Sequence, residues 1–326
     1  MKAIVCGEYG PPEALELAEI DEPEVGDDGV LVRVRAASVN PLDWHFLRGE
    51  PYLMRLQSGL RRPKTHGLGA DLAGRVARVG ASVTRFRPGD AVFGDVAGCR
   101  GGSLADSVCA PEDRLCPMPA NLTFEQAASV PVAGLTALQG LRDHGRIQDG
   151  QRVLIIGASG GVGTFAVQIA KSFGAHVTGV CSTPNVELVR SLGADRVIDY
   201  TREDFARGGR RYDLVFQLAG TQSASDCRRA LTRKGTLVPS SGAGGGRWLG
   251  PMARLARALV SSPFVSQRIA FYVARMNVRD LDFLKELIEE GRVTPVIDRT
   301  YPLSETPAAI RYLEQGHARG KVVVTV

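Results

Sequence analysis

Cysteine is sparse in this 326-residue chain, and no two of its six cysteines form a CxxC pair. That leaves out the clustered thiolates of a structural zinc lobe and the disulfide framework of a small secreted domain. Cys99, Cys109 and Cys116 stand ten and seven residues apart, a poor spacing for one tetrahedral metal. No run of about 18 uncharged apolar residues occurs, which excludes a helix spanning a membrane. Aromatic residues make up 6%, and the arginines behind the net charge of +5 are scattered without aromatic interleaving, which argues against a nucleic-acid interface. The opening "MKAIVCGEYG" carries no secretory pattern, so a cytoplasmic protein with reduced thiols is expected.

What is present points to a folded α/β chain. Its length favours two domains, and 44% hydrophobic with 23% charged residues is an ordinary globular composition. Short alternating or β-branched runs fill the first 120 residues, among them "VLVRVRAASVN", "GRVARVG" and "GDAVFGDVAG"; they predict antiparallel strands and loops. Near "NLTFEQAASVPVAGLTALQGL" the apolar spacing becomes helical. Strands then alternate with helices: "RVLII", "HVTGVC", "RVIDY", "DLVFQLAG" and "GTLVPSSG" read as strands, with "VGTFAVQIAKSFG" and "VELVRSLG" as helices among them. Such alternation predicts a doubly wound parallel sheet. Two helices are expected in "RWLGPMARLARALVSSPFVSQRIAFYVARM", as a pocket wall or dimer surface, and another in "LDFLKELIEEG". Thr306 and Pro307 predict a helix cap with proline at the first helical position, and "KVVVTV" a closing buried strand.

The densest signal is "GASGGVG", four glycines in seven positions directly after a strand and before a helix whose face is Val162, Phe165, Ile169 and Phe173. Glycine weakens regular structure, so this cluster needs a use. Gly157 suits a tight turn, Gly160 or Gly161 a close backbone approach to pyrophosphate, and Gly163 close packing of the helix on the sheet. With Ser159 and Val162 they form a phosphate cradle over the helix's unpaired N–H groups. An acidic residue for the ribose of NAD is missing after the second strand, where Ser182 and Thr183 stand, so a 2'-phosphate is expected to meet hydroxyl donors and NADP(H) is favoured. Tyr200 is read either as a further donor or stacking surface, or as a half-buried strand aromatic. Leu218, Ala219 and Gly220 after the fourth strand, and Ser240 and Ser241 after the fifth, sit at the carboxyl ends where open α/β sheets hold ligands. None of the seven tyrosines has lysine four residues later, which removes the Tyr-x-x-x-Lys chemistry of short-chain dehydrogenases.

"ASVNPLDWHFLRGE", "HGLGADLAGRVARVG", "RPGDAVFGD", "EQAASVPVAGLTALQGL", "GASGGVGTFAVQIAK" and "GRVTPVIDRTYPLSETPAAIRYLEQGHARGKVVVTV" follow one another in the order seen in a known family. Across nearly its whole length the chain resembles the medium-chain dehydrogenase/reductase superfamily, and within it the zinc-free quinone oxidoreductase branch that includes the reticulon-interacting mitochondrial reductases. The resemblance implies a GroES-like β-rich catalytic domain at 1–122 and 277–326, and a Rossmann NADP(H)-binding domain at 123–276. It further implies an active site in the cleft between them, in a homodimer.

It also implies site residues. Zinc-binding relatives carry a cysteine and a Gly-His-Glu block where this chain has Asn40 and Ala70, so no catalytic zinc is expected; His45 and His66 are the nearby imidazoles. Asn40 would offer its amide to the nicotinamide ribose or the acceptor oxygen, or else cap a loop turn. Asp43 would order that loop. Tyr52 would hydrogen-bond the substrate, or pack as a lid. Thr136 resembles the threonine beside the nicotinamide, with a helix cap as the alternative. Arg319 and Lys321 would add charge near the phosphates, or stand as solvated terminal charges. Pro184 and Asn185 replace the basic residues common at the 2'-phosphate, and Gln217 stands where Asp is common. The activity implied is hydride transfer from NADPH to a small hydrophobic quinone or enone; the alternatives are an alcohol or aldehyde dehydrogenase of the same fold, and a non-catalytic NADPH-binding scaffold.

Overall fold

A computed structural model describes residues 1–64, 67–99, 101–220, 222–240 and 266–326. The chain forms two compact units: Met1–Leu135 with Met276–Gly291 and Pro295–Val326, and Thr136–Arg275 with Arg292–Thr294.

In the first unit, the strand Gly29–Val39 alternates buried valines with exposed arginines and serves as the hub of a seven-stranded sheet. It pairs antiparallel with Asp71–Val79, Ser107–Pro111 and the C-terminal Lys321–Thr325, which in turn lies parallel to Ile297–Pro302. Val30, Val32, Leu72, Val92 and Leu115 fill one core, and Ile4, Leu47, Leu68, Val322 and Val324 another. Two helices interrupt the expected strands and loops, the four-residue Arg55–Ser58 and the longer Pro41–Arg48. Its start is set locally: Pro41 stands at the first helical position, and the Asp43 carboxylate accepts the Asn40 N–H at 2.6 Å. Residues 123–135 fall in this unit as well, because the Val132 N–H donates to Asp71 at 2.8 Å. At the other end, Thr306 lies inside the helix Thr306–Glu314 instead of capping it, its hydroxyl donating to the Leu303 carbonyl; Glu305 is the cap.

The second unit is an all-parallel six-stranded sheet whose strands we number in chain order: β1 Arg152–Ile156, β2 His176–Cys181, β3 Arg196–Asp199, β4 Tyr212–Gln217, β5 Leu231–Pro239 and β6 Arg268–Ile269. Their spatial order is β3-β2-β1-β4-β5-β6. This is the order of a Rossmann sheet. Its inner strands are buried on both faces, which is why they read as continuous Val, Leu and Ile runs. Helix α1, Gly161–Ser172, follows β1, and α2, Val186–Ser191, follows β2. β6 corrects the helix expected around "RIAFYV": Arg268 and Ile269 extend the sheet beside Thr236 and Leu237. The backbone after it is held out of a helix by Gln139, whose amide donates to the Arg275 carbonyl and accepts its N–H. The remainder of that expected helical pair, 247–265, lies outside the described residues.

Candidate functional site

The turn from β1 into α1 is built by glycine geometry. Gly157 has φ +87°, and its N–H and that of Ala158 both donate to the Val180 carbonyl at 3.1 and 3.0 Å, binding the turn to β2. A Cβ on Gly163 would lie 2.1 Å from the Gly157 carbonyl oxygen, so only glycine lets the helix seat so close to the turn. Gly160 differs: among the described residues a Cβ there would meet only that oxygen, at 3.6 Å, and these residues leave the turn open on this side. Gly160 caps a twelve-residue helix, so the first N–H groups, from Gly161, Val162 and Gly163, have no carbonyl within the helix to bond. Open space facing a helix N-terminus is a fitting seat for a diphosphate.

At the end of β2 the structure adds what sequence spacing missed. Asp199 closes β3 directly opposite Cys181, and its carboxylate accepts the Thr183 hydroxyl at 2.6 Å and the Thr201 hydroxyl at 2.8 Å. The expectation that a 2'-phosphate here meets hydroxyl donors and no carboxylate is thereby corrected: the acid comes from the neighbouring strand. Ser159 and Ser182 both accept from the Asn185 side-chain amide at 3.2 Å, which leaves their own protons to donate, and the Asn185 Oδ1 is buried without a partner among the described residues. An orphaned buried acceptor at this place suits a ribose hydroxyl. Tyr200 is 55% exposed, which sets aside the half-buried alternative and leaves its ring as an open surface.

At the carboxyl ends of β4 and β5, Gln217 is buried and donates to the Gln222 carbonyl at 3.0 Å, fixing the loop of Leu218, Ala219 and Gly220; this is the structural use of the residue that replaces Asp. The Leu218 N–H donates to Ile156, and the Ser240 N–H to Gln217. Ser241, like His66, lies outside the described residues. Thr136 opens the second unit, where its carbonyl accepts the Tyr272 hydroxyl at 2.5 Å. Tyr272 also bonds Ser240, and burial pushes its phenol well above the ordinary value. It joins two of the expected residues, Thr136 and Ser240, and no motif announced it.

Four expected residues belong to the first unit. For Lys321 the solvated alternative is corrected: it is 3% exposed, with its ammonium 2.5 Å from the Asn40 Oδ1 and 3.1 Å from the Asp71 carboxylate. The pairing Val322 with Val39 brings it there. Asn40 stands at the N-cap of the helix Pro41–Arg48, in keeping with the capping alternative, and its amide nitrogen donates to Asp71 at 2.9 Å while its oxygen takes Lys321. Ser38, cross-strand from Asp71, adds a fourth side chain at 2.7 Å. Arg319 is exposed, and its N–H donates to Asp298. Tyr52 is half-buried with the Arg55 guanidinium 4.7 Å above its ring.

Asp43 stands beside this cluster and is buried. Burial, reinforced by the Asp71 and Asp95 charges and opposed by the Asn40 N–H and Lys321, pushes its carboxyl from the ordinary 3.8 up to about 7. A folded-state value above the unfolded one means stability that is complete below about pH 4 and lost as pH rises to 7. Thermal unfolding followed from pH 5 to pH 8 is expected to show a falling midpoint in the wild type and a shallower fall in Asp43→Asn, which keeps an acceptor for the Asn40 N–H.

The described residues include no group of three or more His, Cys, Asp or Glu placed to hold a metal ion. None of the six cysteines is in a disulfide; burial raises the thiols of Cys99, Cys109 and Cys116, and Cys116 donates to Asp282 at 2.8 Å. His45 is bound through Nδ1 to the Glu50 carbonyl. No helix among the described residues is long and apolar enough to cross a membrane.

With this geometry in place, comparison with known proteins is informative. Residues 26–120 match the alcohol dehydrogenase GroES-like domain family, and residues 192–324 the family described as zinc-binding dehydrogenase. The chain is 36% identical to the Mus musculus mitochondrial NAD(P)H oxidoreductase RTN4IP1, over all of this chain and 89% of that protein. It is 34% identical to the chloroplast envelope quinone oxidoreductase homolog of Arabidopsis thaliana, over 99% of this chain and 98% of that protein. Among solved structures, the quinone oxidoreductase from Coxiella burnetii superposes with a TM-score of 0.88 at 32% identity, covering 100% of this chain and 99% of its own. A GroES-like sheet in one unit, a Rossmann sheet in the other and full-length relatives in both halves lead to one conclusion: the chain belongs to the medium-chain dehydrogenase/reductase superfamily.

Proposed function

We propose that the chain is an NAD(P)H-dependent oxidoreductase that reduces a quinone or an α,β-unsaturated carbonyl, works without zinc and prefers NADPH. The observation that carries this reading is the open cradle at Gly160 over the N-terminus of helix α1. When bound, the nicotinamide supplies a hydride from its C4. The chain's part is to hold the diphosphate with the Gly161, Val162 and Gly163 amides, the adenosine ribose with Ser159, Ser182 and Asn185, and the nicotinamide end with Thr136, Leu218, Ala219, Gly220 and Ser240.

The zinc-free part rests on side-chain chemistry. The family resemblance puts Asn40 and Ala70 near the ligand positions of zinc-dependent relatives, and the Asn40 amide is bonded to Lys321 and Asp71. Without a Lewis acid, a simple ketone is a poor acceptor because its developing alkoxide goes unstabilised. A conjugated acceptor spreads that charge, so hydrogen bonds and a solvent proton suffice. Tyr52 is the proposed hydrogen-bond partner of the acceptor. The names of the similar proteins, an NAD(P)H oxidoreductase and quinone oxidoreductases, support the class. Cytoplasmic location and a homodimer are part of the same proposal.

The test is NADPH oxidation followed at 340 nm with quinones, enones, saturated ketones and alcohols plus NADP+, before and after exhaustive chelation. Turnover of quinones or enones that survives chelation is expected. Turnover confined to alcohols and ketones, and abolished by chelation, would point to a zinc dehydrogenase instead. Binding without turnover of any acceptor would indicate a scaffold protein.

A further inference from the structure

The residues at the end of β2 are uncharged in sequence, yet the folded subsite is not a simple set of donors. The Asp199 carboxylate takes the single hydroxyl proton of Thr183 at 2.6 Å on Oδ2, and the hydroxyl and N–H of Thr201 at 2.8 and 3.0 Å on Oδ1. Asp199 is 8% exposed whereas Thr183 is on the surface, so what Thr183 offers to a ligand is lone pairs. These hydroxyls hold the carboxyl below its ordinary range, Thr183 most strongly, which keeps it charged at neutral pH.

Positive charge nearby is also committed. The stretch 182–202 contains three arginines and no lysine. Arg190 pairs with Glu187 at 2.6 Å, Arg196 with Glu203 at 3.1 Å, and Arg202 with Asp199 itself at 3.5 Å. A 2'-phosphate is an acceptor carrying up to two negative charges and needs donors; a 2'-hydroxyl can give its proton to Thr183. Ser159 and Ser182, which accept from Asn185, keep protons to give a phosphate, and the exposed Tyr200 hydroxyl is a further donor beside them.

We propose that Asp199, acting through Thr183, is the specificity-determining residue that restrains the preference for NADPH and keeps the adenosine subsite open to NADH. The inference rests on the nucleotide reading above. Asparagine at 199 would donate an amide proton to Thr183, turn the Thr183 proton outward and release Arg202, so that one substitution changes the subsite from acceptor to donor.

The experiment measures dissociation constants of NADPH, NADH, 2',5'-ADP and 5'-ADP by calorimetry for wild type, Asp199→Asn and Thr183→Val. Asp199→Asn is expected to raise the NADPH-over-NADH affinity ratio by at least about tenfold, as removing a carboxylate next to a phosphate should. The ratio of 2',5'-ADP to 5'-ADP should move in parallel. Thr183→Val, which removes the acceptor and leaves the carboxylate, is expected to weaken NADH by about threefold to tenfold with NADPH unchanged. It decides the matter should Asp199→Asn fail to fold. Wild type binding both coenzymes with ratios unmoved in the variants overturns this assignment and leaves the proposed function standing. Wild type binding neither coenzyme defeats the nucleotide reading itself, and this inference with it.

Discussion

Gly160→Val is expected to lower the affinity for NADPH about a hundredfold, a loss near 2.7 kcal/mol, while the unfolding temperature stays within about 2 °C of the wild type. The dissociation comes from where a side chain would go. At Gly160 the backbone is extended, with φ −82° and ψ 177°, which valine adopts readily, and among the described residues the only atom near a new Cβ is the Gly157 oxygen at 3.6 Å. The valine methyls would fill the space in front of the α1 amides without disturbing the fold. Gly163→Val should act the other way round. Its Cβ would stand 2.1 Å from the same oxygen, which is backbone and cannot step aside, so overpacking should cost about 1–3 kcal/mol of stability as well as binding. Calorimetric titration and thermal unfolding of the two variants side by side check this. Equal losses of stability in both would mean that the glycines serve packing alone.

Lys321→Met is expected to give the largest stability loss of any single substitution outside the hydrophobic cores, about 3–5 kcal/mol in urea unfolding. The Lys321 and Asp71 side chains are 4% and 0% exposed. Asp43 and Asp95 lie close enough for their charges to act on one another and on Asp71. Removing the ammonium leaves the Asp71 charge buried, with the neutral donors Ser38, Asn40 and the Val132 N–H bonded to it and no cation among the described residues bonded to it. Because Asp71 also ties Val132 to the strand Asp71–Val79, the loss should spread to the start of the helix Pro131–Gln139. Arg319→Ala, two residues away and exposed, is the control and should change stability by less than about 0.5 kcal/mol. A loss below about 1 kcal/mol for Lys321→Met would show the cluster to be dispensable.

The parallel sheet was legible because its physics is local and repetitive. A strand buried on both faces must be apolar throughout, and "RVLII" and "HVTGVC" coincide with β1 and β2 residue for residue. The glycine turn was legible for the same kind of reason, since one steric demand falls on one residue. Three features were not. Asp199 meets Thr183 only because β3 pairs with β2 and sets Asp199 across from Cys181; spacing along the chain places the acid too far downstream to be noticed. Lys321 meets Asp71 across 250 residues, through two strand pairings that no periodicity encodes. The edge strand β6 has two residues, too few for any pattern, in a stretch whose Leu, Ala and Arg content favours helix.

Amide resonances of the α1 N-terminus offer the shortest route to the central claim. In a 15N-labelled, deuterated sample titrated with NADPH, the N–H signals of Gly161, Val162 and Gly163 should show the largest shifts in the spectrum and gain protection from solvent exchange, with Gly160→Val abolishing both changes. Shifts confined to other parts of the chain, with these three amides unmoved at saturation, would contradict the claim that this turn holds the diphosphate.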